Sequence, residues 1–185
     1  MYKPEMTDEL TISPWVKKWV FLTNPSGEIL DVACGRGRHS KYCLEAGYRV
    51  IAVDSDRVKL QCLSGLNGIT TLCHDLERDL WPFEKLRFQG VIVTNYLHRE
   101  LMANISLSLA RSGVLIYETF AEGNEDFGKP TNKDFLLKSN ELLHYFEPDF
   151  HIVSYQQGLI SKPKKAIIQR LCAIKYPVTP REINL

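Results

Sequence analysis

The sequence predicts an α/β domain in which a doubly wound, mostly parallel sheet ends in an antiparallel C-terminal edge hairpin. Three observations predict it. Short apolar runs recur at Glu28–Val32, Arg49–Val53, Ile69–Cys73, Gly90–Thr94 and Val114–Phe120, and continuous apolar runs mark strands buried on both faces. Helix-compatible segments alternate with them, which implies parallel strands joined by right-handed crossovers. The rhythm then breaks, because His151–Tyr155 and Ala166–Lys175 are separated only by Gly158–Lys165, with no helix between them.

The first helix, Pro14–Leu22, opens behind Ser13, a hydroxyl N-cap followed by proline at the first helical position. Residues 1–25 are therefore read as an N-terminal cap on a single domain spanning 1–185. Glu28–Val32 runs into a glycine turn, Cys34-Gly-Arg-Gly37, and then into a helix over Arg38–Ala46, with Gly47 standing where a left-handed cap belongs. Arg49–Val53 is closed by Asp54, and Asp56–Leu66 carries apolar residues at 58, 60, 62, 63 and 66, a helical spacing. His74-Asp75 follows the third strand, and Glu100–Ala110 is helical between the fourth and fifth. Residues 121–140 are polar and turn-rich, and such long connections in compact domains serve as active-site lids or stay disordered. A short helix over Glu141–Phe146 precedes the hairpin.

Composition excludes several classes. Across 185 residues the formal net charge is +1 and 24% of residues are charged, which argues against disorder and against a nucleic-acid-coating surface. The longest apolar runs, such as Trp19–Leu22, fall far short of the ~18 residues a membrane span requires. Residues 1–13 show no apolar export segment, and the five cysteines are odd in number with no C-x-x-C pair, so a reducing cytoplasm is the expected setting. The five histidines show no metal-ligand spacing, so no metal site is expected.

The chemistry concentrates in Ile29-Leu-Asp-Val-Ala-Cys-Gly-Arg-Gly-Arg-His39, with Asp54 at the tip of the next strand. Glycines after a strand let backbone approach a ligand closely, and an acid at the second strand tip suits a ribose diol. The dinucleotide fingerprint G-x-G-x-x-G fails, because Ser40 occupies its third glycine position. Asp31, just before the turn, suits a ligand bearing an ammonium or sulfonium group. His39 is read as structural, Cys34 and Cys73 as small buried residues, and Lys162, Lys164 and Lys165 as a solvated hairpin turn.

Asp31-Val-Ala-Cys-Gly-Arg-Gly-Arg38 resembles motif I of the class I S-adenosylmethionine-dependent methyltransferases, which have a Rossmann-like fold. Further ordered features resemble the small bacterial branch related to tellurite-resistance methyltransferases. These are Pro14-Trp-Val, Asn95-Tyr-Leu-His-Arg99, Tyr117-Glu-Thr-Phe120, Gly123-Asn-Glu-Asp-Phe-Gly-Lys-Pro130 and Asp134-Phe-Leu-Leu137. The resemblance covers about Ser13 to Lys175, with Arg111-Ser-Gly113 where many relatives have Pro-Gly-Gly. It implies S-adenosylmethionine as cofactor, held by Asp31, Ala33, Gly35, Gly37, Asp54, Ser55, Asp75, Leu76 and Asn95, with Trp15 closing over its methionine end.

For catalysis the candidates are His98, Glu118 and Tyr96; His98 or Glu118 would act as base on a hydroxyl or amine acceptor, and the Tyr96 ring would face the sulfonium. His98, Arg99 and Phe127 are the candidate substrate contacts, with Phe127 on the lid-like loop. The expected partner is a small-molecule acceptor rather than nucleic acid or membrane, with the protein a monomer or homodimer. Tellurite-type oxyanions, small thiols and amines all remain open as acceptors. Two alternatives stand beside methyl transfer: a non-catalytic module that binds S-adenosylmethionine or a partner, and a nicotinamide-dependent reductase.

Overall fold

In a computed structural model, residues 11–162 and 164–177 are described. Residues 1–10 of the expected N-terminal cap lie outside them. Seven strands form one sheet in the order β3-β2-β1-β4-β5-β7-β6. Their ranges are β1 Glu28–Val32, β2 Arg49–Asp54, β3 Ile69–Cys73, β4 Phe88–Thr94, β5 Leu109–Phe120, β6 Phe150–Ile160 and β7 Ala166–Lys175. β1 to β5 pair in parallel, whereas β7 runs antiparallel to both β5 and β6. The expected fold class and edge hairpin are what the chain adopts.

The two faces of the sheet bury separate cores because inward residues alternate along each strand. On one face, Ile29, Ile92 and Ile116 pack with Trp15, Val16 and Cys43, from α1 (Pro14–Trp19) and α2 (Arg38–Glu45). On the other, Leu30, Val91 and Leu115 pack with Met102 and Ile105 of α4 (Met102–Ser108) and with Phe146 of α5 (Glu141–Phe146). α3 (Arg57–Leu60) covers Ala52 and Cys34 with Leu60. β1 lies between β2 and β4, so the chain winds outward to one edge and then restarts on the other side. That reversal opens a crevice at the carboxyl ends of β1 and β4, where open α/β sheets bind ligands.

Local chemistry explains most boundaries. Ser13 Oγ accepts from Trp15 N and Val16 N at 3.1 and 3.4 Å, the expected N-cap. Gly47 (φ 93°) ends α2 in a Schellman turn: its N–H reaches Leu44 O and Tyr48 N reaches Cys43 O, both at 2.9 Å.

Several expectations need correction. The segment expected as one helix over Asp56–Leu66 is a four-residue α3 followed by a 3₁₀ turn at Gln61–Leu63, and Val58 is 67% exposed. β5 begins at Leu109 rather than Val114, since Ser112 takes φ 57° and lets the strand bend instead of extending the helix to Ala110. β6 runs on to Ile160, so Gly158 sits in the strand and not in the turn. β3 is a sheet edge with three of its five residues exposed and none buried, not a strand buried on both faces. Cys73 is exposed for the same reason, whereas Cys34 is buried as expected.

The 121–140 connection is tied down at its far end. Ala121 and Leu137 form a parallel bridge, Leu136 and Leu137 are fully buried, and Arg99 donates to the carbonyls of Asp134 and Leu136 and to the Glu141 carboxylate. Asn124 is buried too, and its Oδ1 accepts from Ile167 N of β7 at 3.2 Å.

Candidate active site

The turn after β1 carries three residues in the left-handed region, Ala33 (φ 51°), Gly35 (φ 57°) and Gly37 (φ 71°). Asp54, at the end of β2, holds it: Oδ2 accepts from Gly35 N at 2.7 Å and Oδ1 from Asp56 N at 2.9 Å. Each carboxylate oxygen keeps a further lone pair for a ligand hydroxyl. The two glycines have different reasons. A Cβ on Gly35 would meet nothing within 4 Å, so the space above it is open. A Cβ on Gly37 would instead stand 2.4 Å from a methyl of the buried Leu63, so Gly37 permits packing and not ligand approach.

Asp31 lies beneath the turn, 1% exposed, accepting from Ser40 N at 3.0 Å and Ser40 Oγ at 2.6 Å. Burial outweighs these bonds and pushes its carboxyl up to about pKa 6. Its place is to seat the start of α2; the structure does not bring it to the surface of the crevice. Ser40, which breaks the dinucleotide fingerprint, is thus its anchor. His39 is also sealed, at 1% exposure, and burial lowers it to about pKa 3. Its Nε2 accepts from Ser13 N at 3.2 Å, so the neutral ring carries its proton on Nδ1, facing Thr94 Oγ1 at 3.3 Å. This structural role matches the expectation.

Three concavities follow one another along the carboxyl edge. The first, about 200 Å³, lies at the ends of β2 and β3 and is lined by Ala33, Asp54, Ser55, Asp75, Leu76 and Tyr96. Tyr96 presents a buried hydroxyl with no hydrogen-bond partner among the described residues, and burial raises its phenol well above the usual range, so it stays protonated. The next, about 190 Å³, is shared by Asn95, Tyr96, Phe120 and Phe135. The third, about 390 Å³, is bounded by Ser13, Arg38, Asn95, Glu118, Phe127 and the β6–β7 hairpin tip. Asn95 (φ 53°) turns the chain between the second and third, its N–H held by Glu118 O at 2.9 Å.

The site residues expected from sequence divide accordingly. Ala33, Asp54, Ser55, Asp75, Leu76 and Tyr96 come together around one crevice, while Asn95, Glu118 and Phe127 line the larger cavity. Five do not converge. Trp15 is 3% exposed, packed edge-on to Trp19, with its Nε1 donating to Leu171 O at 3.1 Å; it is core and cannot close over a ligand. His98 lines none of these three concavities and points toward Glu100, 3.8 Å away. Arg99 is spent on Glu141 and the loop carbonyls. Gly37 and Asp31 support the turn from below.

Sequence reading missed Arg38 and Ser13 as cavity walls and Arg170 as the partner of Glu118. Arg170 stands on the same face of β7 as its registered neighbour Glu118, which an antiparallel pairing would have revealed.

Two acids at neighbouring strand tips, open space above Gly35 and an orphan buried hydroxyl fit a nucleoside with a ribose diol. Residues 29–113 match the model of a methyltransferase domain. No curated protein matches the chain significantly by sequence. TehB from Haemophilus influenzae is similar in structure, with TM-score 0.65 and 22% identity over 80% of this chain, which spans only 57% of TehB. The 1,6-didemethyltoxoflavin-N1-methyltransferase of Burkholderia thailandensis, solved with 1,6-didemethyltoxoflavin and S-adenosylhomocysteine, gives TM-score 0.66 at 20% identity, over 91% of this chain and 80% of that one. An S-adenosylmethionine-dependent methyltransferase from Methanosarcina mazei gives 0.65 at 14%, over 90% and 99%.

The fold is that of the class I methyltransferases. No helix among the described residues is long and apolar enough to cross a membrane.

Proposed function

We propose that the chain is an S-adenosylmethionine-dependent methyltransferase that methylates a small-molecule acceptor held in the 390 Å³ cavity, with the nucleoside of S-adenosylmethionine in the 200 Å³ crevice. The observation that carries this reading is that the 190 Å³ concavity links the two spaces, sharing Tyr96 with the crevice and Asn95 and Phe120 with the cavity, so a methyl donor that reaches through it can face an acceptor on the far side. Bound S-adenosylmethionine supplies a methyl group already activated on a sulfonium. The protein's work is then to align the partners and exclude water. Asp54 takes the ribose hydroxyls, Asp75 the base edge, Leu76 the base face, and Tyr96 offers its orphan hydroxyl and ring. Arg38 and Asn95 receive the amino-acid end.

Glu118 is the proton acceptor for a hydroxyl or amine. Its Oε1 accepts from Ser13 Oγ at 2.7 Å and its Oε2 faces Arg170 Nη1 at 3.4 Å, so it acts only by exchanging the Ser13 bond. A thiolate or oxyanion acceptor needs no such step. His98 lines none of the three concavities and is given no part in this reading. Phe127 and the tip around it act as a lid over the acceptor, while Asn124 holds the near arm to β7 and Leu136 and Leu137 anchor the far arm.

Release of S-adenosylhomocysteine, measured over a panel of thiols, amines, hydroxy acids and oxyanions, tests the reading. Turnover with one class and not the others supports it. Tight S-adenosylmethionine binding with no turnover on any class would make the protein a binding module. The match to the methyltransferase domain sets aside nicotinamide-dependent reduction.

A further inference from the structure

The larger cavity has an apolar body and a cationic rim. Ile12, Phe120, Ile160 and Ile168 form its walls, and its volume lies within the ~300–1,000 Å³ of small-molecule sites. Lys129, Lys162, Lys164 and Lys165 stand around its mouth. These are the hairpin lysines that the sequence alone reads as a solvated turn, joined by one from the lid. They do not point away. Lys165 Nζ sits 4.7 Å over the Phe127 ring, and Lys164 Nζ lies 3.6 Å from where a Cβ on Gly128 would be. Among the described residues none of the four forms an ion pair. The one carboxylate on the wall, Glu118, already faces Arg170. Four lysines lining an apolar pocket, two of them with their ammonium groups placed against its lid, create a positive potential that a neutral ligand leaves unused.

Resting on the function proposed above, we infer that the acceptor is an organic anion: an apolar, ring-sized body bearing a carboxylate, sulfonate or phosphate that meets the hairpin lysines. The body fills the space between Phe120 and Ile168, and the anion lies at the mouth, beside Lys164 and Lys165. A bare inorganic oxyanion would leave the apolar walls uncovered. The cation–π contact of Lys165 with Phe127 gives the anion a second effect, since binding to the hairpin also holds the lid's aromatic residue over the cavity.

The test uses two dyes with one aromatic frame, anionic 1-anilinonaphthalene-8-sulfonate and neutral N-phenyl-1-naphthylamine, titrated by fluorescence into the protein saturated with S-adenosylhomocysteine. The wild type should bind the sulfonate about tenfold more tightly than the neutral dye, and the triple variant Lys162→Gln, Lys164→Gln, Lys165→Gln should lose that preference. Neutral-dye affinity should change less than about threefold, and S-adenosylhomocysteine affinity should not change, because the lysines lie away from the crevice. A control variant, Lys17→Gln, Lys85→Gln, Lys133→Gln, should keep the preference. Equal affinities for the two dyes, an unaffected triple variant, equal loss in the control, or no binding of either dye would overturn the proposal. Failure to bind S-adenosylhomocysteine would instead overturn the underlying function, and calorimetry reads that separately.

Discussion

Asp54 does two jobs with two oxygens, and its replacement by alanine removes both. Asp54→Ala removes the ribose acceptor and also frees Gly35 N, so S-adenosylmethionine binding should weaken by roughly 1.5–3 kcal/mol, the scale for hydrogen bonds to a charged group. Calorimetry showing unchanged affinity would contradict the assignment. The two turn glycines should behave differently from each other. Gly35→Val points a side chain into open space where ligand belongs, so binding should vanish at a stability cost of about 1–2 kcal/mol for the left-handed backbone. Gly37→Val must also displace Leu63 and should be the far less stable protein in thermal melts. This distinction was not legible in the sequence, where the pair reads as one motif; only the position of Leu63, twenty-six residues further on, reveals it. Asp31 was misread for a related reason. An acid beside a glycine turn looks like a ligand contact until the backbone shows it folded under the turn and bonded to Ser40.

At the scale of elements, the long 121–140 connection behaves as two arms. Its C-terminal arm is held by Arg99, whose guanidinium bridges two loop carbonyls and the Glu141 carboxylate. Arg99→Ala should therefore loosen the loop by roughly 1–3 kcal/mol, a range discounted because the side chain is 36% exposed. Hydrogen exchange at the Leu137 and Glu122 amides should quicken, since both close the bridge between the loop and β5. Unchanged protection there would show that the bridge stands without Arg99. Phe127 belongs to the other arm, and Phe127→Ala should lower turnover or raise the acceptor KM while leaving the melting temperature nearly unchanged. A large stability loss with normal kinetics would make Phe127 core instead of lid. The strands and the hairpin were legible from apolar runs and turn residues. The short helices were not, because α3 exposes Val58 and its capping at Asp56 supports barely one turn.

For the whole molecule, two sealed groups under the turn set opposing pH dependences. The folded chain keeps His39 neutral down to about pH 3, whereas in the unfolded chain it gains a proton near pH 6.5. Acidification between those values therefore removes stability. Asp31 is protonated near pH 6 when folded but near 3.8 when unfolded, so acidification across that window adds stability. The two slopes oppose each other between about pH 6 and 4, and only the His39 loss continues below. Replacing His39 by Gln leaves Asp31 alone. Relative to the wild type, the variant should gain stability as pH falls from 6.5 to 4.5, by at most about 1.4 kcal/mol per pH unit. Urea denaturation across that range checks it, and a difference independent of pH would mean that His39 is not held neutral in the fold.

The central claim is that the crevice between Asp54, Asp75 and Tyr96, with the open space above Gly35 next to its Asp54 wall, holds S-adenosylmethionine. Isothermal titration of S-adenosylhomocysteine into wild type and Gly35→Val, each verified as folded by circular dichroism, tests it most directly. The account predicts one site per chain in the wild type and no detectable heat with Gly35→Val. Equal binding by the two proteins, or none by the folded wild type, would contradict it.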